Sequence, residues 1–212
     1  MLYAFGWYLF RALLWFFGRF RVEGEENVPA EGGVILACNH VSYLDPPAVG
    51  AAIHRPTWYM AKQELFEVPL FGWVISRTRA FPVRRGAPDR RALRRATELL
   101  AAGEVVTMFP EGGRRDGDRL EDPELGLAFI AARSGAPVVP VALMGTEQVL
   151  PRGAKFPHFG RVVVRFGEPL SFSQYGGRRA SKQELQEISQ EVMAAIGGLM
   201  GTCPQDAPSR SG

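Results

Sequence analysis

Cysteine is scarce. The 212 residues hold only Cys38 and Cys203, which excludes a disulfide framework and any repeated cysteine spacing for a metal, and fits a reducing compartment. Histidine is nearly as rare. His40, His54 and His158 stand apart in the chain and none belongs to a His-Glu-x-x-His pattern, so the ligand set for a metal hydrolase is poor and no metal is expected. There is no stretch of 18 uninterrupted apolar residues, because Arg11 divides the one candidate, and a membrane-spanning helix is not expected. The start lacks a basic region and a small-x-small cleavage site, which argues against a signal peptide. No internal repeat and no recognisable nucleic-acid-binding motif is present, so no nucleic-acid partner is expected.

What is present is apolar residue and arginine. Hydrophobic residues make up 46% of the chain, enough for the core of one domain. The net charge of +3 is unevenly placed: from Arg77 to Arg119 there are 11 arginines, no lysine and 6 acids. Planar guanidinium matches phosphate in a forked contact better than ammonium does, so this stretch points to an anionic partner. Arg90, Arg91, Arg94 and Arg95 are set apart from that expectation as the solvated face of a helix.

Residues 1–24 form an aromatic-rich segment that contains MLYAFGWYLFRALLWFFGRF. Tyr3, Trp7, Tyr8 and Trp15 suit a membrane–water interface, with Arg11, Arg19 and Arg21 snorkelling to anionic head groups. The reading expects an amphipathic helix at the membrane interface; the competing arrangement packs its aromatics onto the protein's own core. Residues 25–200 are expected to form one domain, and residues 201–212 a polar tail without order.

From Gly33 onward short apolar strands alternate with helices, the pattern of a mainly parallel α/β sheet. Strands are predicted at Val34–Cys38, Thr57–Ala61, Ala80–Val83, Val105–Phe109, Val138–Leu143 and Val162–Phe166, the second, fourth and fifth as buried runs and the last as an edge. Helices are predicted at Pro46–Ala52, Val68–Arg77, Pro88–Ala102, Glu124–Arg133 and Ser181–Met200. The third carries an apolar stripe of Leu93, Ala96, Leu99 and Leu100 and stops at Gly103; the last opens with Ser181 and Glu184 in a capping box.

Two constellations carry chemistry. Asn39-His40-Val41-Ser42-Tyr43-Leu44-Asp45-Pro46 follows the first buried strand, where α/β folds place ligands. On a continuous helix five residues separate two side chains by about 140°, too far to meet. Pro46 keeps Asp45 from helical geometry, and a turn over residues 41–44 would fold the carboxylate back onto the imidazole. Such a pair holds one tautomer and stabilises the protonated ring, as a general base requires. The alternative is Asp45 as a plain helix N-cap beside a structural histidine. The second constellation, Phe109-Pro110-Glu111-Gly112-Gly113-Arg114-Arg115, runs from a strand into a glycine turn and then into arginines, a setting for an anion. Its alternative is an ordinary charged turn.

Together, in this order, the two resemble the glycerolipid acyltransferase family, whose best-known members are the lysophosphatidic acid acyltransferases. The resemblance covers Gly33 to Leu170. Asn39, His40 and Asp45 match the motif Asn-His-x-x-x-x-Asp in full. Arg79-Ala80-Phe81-Pro82-Val83-Arg84-Arg85 is similar to Gly-x-x-Phe-Ile-x-Arg, with Arg79 in place of the glycine. Phe109, Pro110, Glu111, Gly112 and Arg114 match Phe-Pro-Glu-Gly-Thr-Arg-Ser, with Gly113 for Thr and Arg115 for Ser. Ala136-Pro137-Val138-Val139-Pro140-Val141 is similar to the fourth motif, and Ala61-Lys62-Gln63-Glu64-Leu65-Phe66 to a common family stretch.

The resemblance implies direct transfer of a fatty acyl group from an acyl-CoA or acyl-carrier-protein thioester to the sn-2 hydroxyl of 1-acyl-sn-glycerol 3-phosphate, giving phosphatidic acid without a cofactor. It implies His40 as the base, Asp45 as its orienting partner, Arg85 and Arg114 on the acceptor phosphate, and Glu111 and Gly112 shaping that pocket. Arg79 and Arg115 are expected to add charge near the phosphate. It places the enzyme at the cytoplasmic face of the cell membrane as a peripheral or monotopic protein. Other acceptors in view are another lysophospholipid or a lyso-ornithine lipid; the non-enzymatic alternative is a module that binds anionic membranes. Cys38 beside His40 raises a covalent acyl-cysteine route, disfavoured because a cysteine closing a buried strand is usually inert.

Overall fold

A computed structural model describes residues 2–84, 89–112, 125–154, 156–175, 178 and 180–201. Along the chain lie α1 (Leu2–Gly18), β1 (Arg21–Glu23), β2 (Val34–Cys38), α2 (Asp45–Ala52), β3 (Thr57–Lys62), α3 (Phe71–Arg77), β4 (Ala80–Val83), α4 (Arg90–Ala101), β5 (Val105–Met108), α5 (Gly126–Ser134), β6 (Val138–Met144), α6 (Thr146–Val149), β7 (Val163–Phe166) and α7 (Lys182–Gly201). The seven strands form one sheet in the order β1-β7-β6-β2-β5-β3-β4. Every neighbouring pair is parallel except β6 with β7. This is the mainly parallel α/β architecture that the alternation of strands and helices predicts.

Central β2 shows why the sheet needs helices on both faces. All five of its residues are buried, and alternate ones point to opposite sides. Ile35 and Ala37 join Leu99 and Leu100 of α4, Ile130 of α5 and Ile196 of α7 in one core. Val34, Leu36 and Cys38 join Leu14 of α1 and Val49 and Ala52 of α2 in the other. His40, just past β2, therefore lies at the carboxyl edge of the parallel strands, between these two layers.

Two strand expectations are corrected. Val163–Phe166 is not an edge: it lies between β6 and an outer strand, β1, that the three residues Arg21–Glu23 were too short to announce. Its charged residue is accommodated there, since the Arg165 guanidinium donates from Nε to Glu23 on β1 at 2.6 Å. Nor is β3 a buried run. Only Thr57 is buried, because much of the strand lines a cavity instead of a packed core. The missing burial is on the functional side of the sheet.

Both α4 and α7 are capped at their starts. Asp89 accepts from the N–H groups of Arg91 and Ala92 at 3.0 and 3.2 Å and starts α4. Its buried stripe is Ala92, Ala96, Leu99 and Leu100, with Arg90, Arg91, Arg94 and Arg95 exposed opposite. Ser181 and Glu184 bond reciprocally, Ser181 N–H to the carboxylate at 2.7 Å and Glu184 N–H to the hydroxyl at 3.2 Å. The Arg178 guanidinium and this cap hold the Glu184 carboxyl down to about 2. Pro88, Glu124 and the tail at 202–212 lie outside the described residues.

The N-terminal run forms a helix whose two faces divide the expectations made for it. Trp7 and Arg11, assigned to the interface from their residue types, turn inward. Trp7 Nε1 donates to the Ile53 carbonyl at 3.1 Å and Arg11 to the Ala51 carbonyl at 2.6 Å. Carbonyls at a helix end lack intrahelical partners, and α1 supplies them for α2. Leu14 is buried beneath, whereas Tyr8, Trp15 and Phe16 are 69%, 73% and 62% exposed. Arg21 pairs with Glu23. No described helix is long and apolar enough to cross a membrane.

Candidate active site

The chain leaves β2 through Asn39, whose buried side-chain amide brackets one residue of the neighbouring strand. Its Nδ2 donates to the Leu143 carbonyl at 2.9 Å, and its Oδ1 accepts from the Leu143 N–H at 2.7 Å. Truncating it would orphan both main-chain groups, at about 1–3 kcal/mol each. The turn that follows is thus tied to β6 before it begins.

Pro46 does not keep Asp45 from helical geometry as expected: Asp45 opens α2, with Leu44 as the N-cap, and does not cap it. An N-cap carboxylate normally accepts from the second and third helical N–H groups. Proline at 46 and 47 removes the nearest donors, and the Ala48 N–H already bonds the Leu44 carbonyl at 2.8 Å. The carboxylate turns backward. Its Oδ2 accepts from the N–H groups of Val41 and Ser42, both at 2.7 Å, and from His40 Nδ1 at 2.8 Å. Its Oδ1 accepts from the Thr146 hydroxyl at 2.5 Å. Asp45 is wholly buried, and four donors compensate its desolvation.

Because a carboxylate only accepts, Nδ1 of His40 carries the proton and Nε2 is the basic nitrogen. The ring stacks on Phe109 at 4.3 Å between centroids. The His40 N–H points to Glu111 Oε1 at 3.4 Å, so the two constellations, 71 residues apart, meet where β2 and β5 end side by side. Gly112 shapes that junction with φ 65°, its N–H closing a turn onto the Phe109 carbonyl at 3.1 Å. Arg85 and Arg114, the expected phosphate clamps, lie outside the described residues, as does Arg115.

His40 forms part of the wall of a cavity of about 510 Å³. The remaining wall is largely apolar: Trp7 and Phe10 from α1, Pro46 and Gly50 from α2, Met60 and Ala61 from β3, and Val74 and Ile75 from α3. Lys62 stands among the few polar lining groups. A basic imidazole nitrogen beside so apolar a space can take a proton from a hydroxyl carried by a molecule with an alkyl chain.

Two sequence expectations are settled by placement. Burial, and then the Asp45 charge, push the Cys38 thiol well above its ordinary value, and its side chain lies in the α1–α2 core. It offers no thiolate for a covalent route. Arg79, expected to add charge near a phosphate, precedes β4, at the opposite edge of the strands from His40, and pairs with Glu104 at 2.8 Å. Its φ of 62° is the left-handed region that favours the glycine of the motif. Thr146 and the cavity-lining face of α3 were not singled out from sequence, and Lys62 only as one residue of a family stretch; the tertiary fold brings Thr146 to Asp45 and the others to the cavity that His40 lines.

The fold and this site define an α/β acyltransferase: the Acyltransferase family model matches residues 19–144, and the chain belongs to that family. More particular likenesses are to 1-acyl-sn-glycerol-3-phosphate acyltransferases. The chain is 32% identical to the one from Bacillus subtilis over 182 residues, 84% of this chain and 87% of the relative. It is 32% identical to a chloroplast enzyme of that description from Arabidopsis thaliana over 162 residues, 74% of this chain but only 45% of the longer relative. In three dimensions it matches the crystal structure of the 1-acyl-sn-glycerophosphate (LPA) acyltransferase PlsC from Thermotoga maritima, with a TM-score of 0.73 and 30% identity, covering 94% of this chain and 77% of that one.

Proposed function

We propose that this chain acylates the sn-2 hydroxyl of 1-acyl-sn-glycerol 3-phosphate and releases phosphatidic acid. The observation that carries the reading is the His40–Asp45 pair on the wall of an apolar cavity. Nε2 of His40 takes the proton of the acceptor hydroxyl as its oxygen bonds to the thioester carbonyl carbon. Collapse of the tetrahedral adduct breaks the carbon–sulfur bond, and the departing thiolate takes the proton from the imidazolium. Asp45 keeps Nδ1 protonated and stabilises the cation between those steps. Glu111 and Gly112 shape the glycerol-phosphate end of the site, and Arg85 and Arg114 clamp the phosphate, roles supported by their positions in the family motifs. The donor is acyl-CoA or an acyl-carrier-protein thioester.

An acceptor screen tests this reading. At fixed acyl-CoA, thiol release is expected with lysophosphatidic acid and phosphatidic acid is the expected product. Faster turnover of a lyso-ornithine lipid or of an uncharged-headgroup lysolipid would displace the proposed acceptor. Lack of thiol release with any acceptor and either donor would leave a membrane-binding module.

The same reading puts the enzyme peripherally on the cytoplasmic face of the membrane. The outward side of α1 offers Tyr8, Trp15 and Phe16, and exposed Leu70 and Trp73 flank the cavity on the α3 side. Aromatic rings of this kind partition to the headgroup layer. Changing Trp15 and Phe16 together to serine is expected to lower co-flotation with anionic vesicles at least severalfold without shifting the thermal unfolding midpoint. Unchanged flotation would remove α1 from the membrane contact.

A further inference from the structure

The segment from the end of β6 through α6 holds the His40–Asp45 turn at three points. Leu143 is bracketed by Asn39, Thr146 bonds Asp45, and the Leu150 carbonyl accepts from the Ser42 hydroxyl at 3.2 Å. Only one of these contacts is a side chain touching the carboxylate itself. Thr146 lies 101 residues from Asp45, beyond the matched family region, and both residues have zero exposure. Its approach depends on Gly145, whose φ is 82° and where an added Cβ would meet the Arg161 carbonyl oxygen. That glycine turns the chain sharply out of β6 and starts α6 with Thr146 facing the site.

We infer that Thr146 is a positioning residue for the general base, acting through Asp45; this rests on the acyl-transfer reading above. The two carboxylate oxygens have unequal surroundings. Oδ2 takes both main-chain N–H groups and the imidazole, whereas Oδ1 has the Thr146 hydroxyl as its hydrogen-bond donor among the described residues. A carboxylate pinned at one oxygen only can swing about its Cβ–Cγ bond. Pinning Oδ1 fixes the plane, and with it the line from Oδ2 to Nδ1 along which the ring is aimed. Thr146 touches neither substrate nor the reacting nitrogen. Its loss therefore acts on the chemical step and leaves substrate binding alone.

The test compares Thr146→Val and Thr146→Ser, with Thr146→Ala as the partner that differs from serine by the hydroxyl alone. Hydrogen bonds to charged groups are worth about 10- to 100-fold in a rate. The valine and alanine variants are expected to lose that much kcat with KM for donor and acceptor unchanged, and serine to recover most of it. An independent reading comes from the downfield proton NMR signal of the Nδ1–H bonded to a carboxylate, assigned by its absence in His40→Ala. It is expected to persist in the serine variant and to shift or broaden in the valine and alanine variants. Wild-type kcat and an unchanged signal in those two overturn the inference. So does a loss of turnover in those two that is matched by loss of their unfolding transition, which would assign Thr146 to the fold. The NMR arm needs no substrate, so failure of the proposed reaction is distinguishable from failure of this positioning role.

Discussion

Replacing His40 by alanine is expected to lower acyl transfer by at least about 10²–10⁴-fold, the range that general-base catalysis contributes. The protein should stay folded. His40 is buried but at the cavity wall, and its own bonds are to Asp45 and, through its main chain, Glu111. The substitution keeps the main-chain bond and leaves Asp45 with its three other donors, Val41, Ser42 and Thr146. Thiol release and the thermal unfolding midpoint, measured on the same preparation, separate chemistry from stability. Near-normal turnover in a folded His40→Ala variant would refute the proposed mechanism. Residual activity is expected from positioning and electrostatic stabilisation, which do not depend on the base.

Asp45→Asn carries the second large effect, and it works through the charge. The amide is almost the same shape, and its oxygen can take the place of Oδ2, accepting from the Val41 and Ser42 N–H groups and from His40 Nδ1, while its nitrogen faces the Thr146 hydroxyl, which can turn to accept. The tautomer is kept, but the imidazolium that forms on proton transfer no longer has a negative partner. A loss of about 10- to 100-fold in kcat is expected, the worth of a hydrogen bond to a charged group, with little change in KM. Asp45→Ala should differ in kind. It strands Val41 N–H, Ser42 N–H and the Thr146 hydroxyl in a buried place, at about 1–3 kcal/mol each, and the unfolding midpoint should fall steeply. An asparagine variant as active as the parent would mean that the carboxylate serves the turn and not the imidazole.

Much of this could be read along the chain. Local periodicity is a property of neighbours in sequence, so β2, β4 and α4 are where apolar patterning and the stop at Gly103 predict them. The readings that needed correction turn on contacts between distant elements. A charge in β7 suggests an exposed edge until Glu23, 142 residues away, is brought beside it. Trp7 and Arg11 suit a membrane by residue type, but two carbonyls at the end of α2 claim them. The apolar residues of β3 predict a core, and a cavity occupies that side.

By itself the sequence determined the alternation of strand and helix, a helix at the prolines that follow Asn39-His40, and the order of motifs by which the family is recognised. Those depend on backbone sterics and on residues within a few positions of one another. Only the tertiary structure decided that Glu111 comes to the His40 main chain, that Thr146 pins Asp45, and that α1 and α3 enclose an apolar cavity beside the imidazole. The physical reason is that hydrogen bonds and van der Waals contacts act over a few ångströms of space, whatever the distance along the chain. Which residues come that close is set by the order and register of the strands in the sheet.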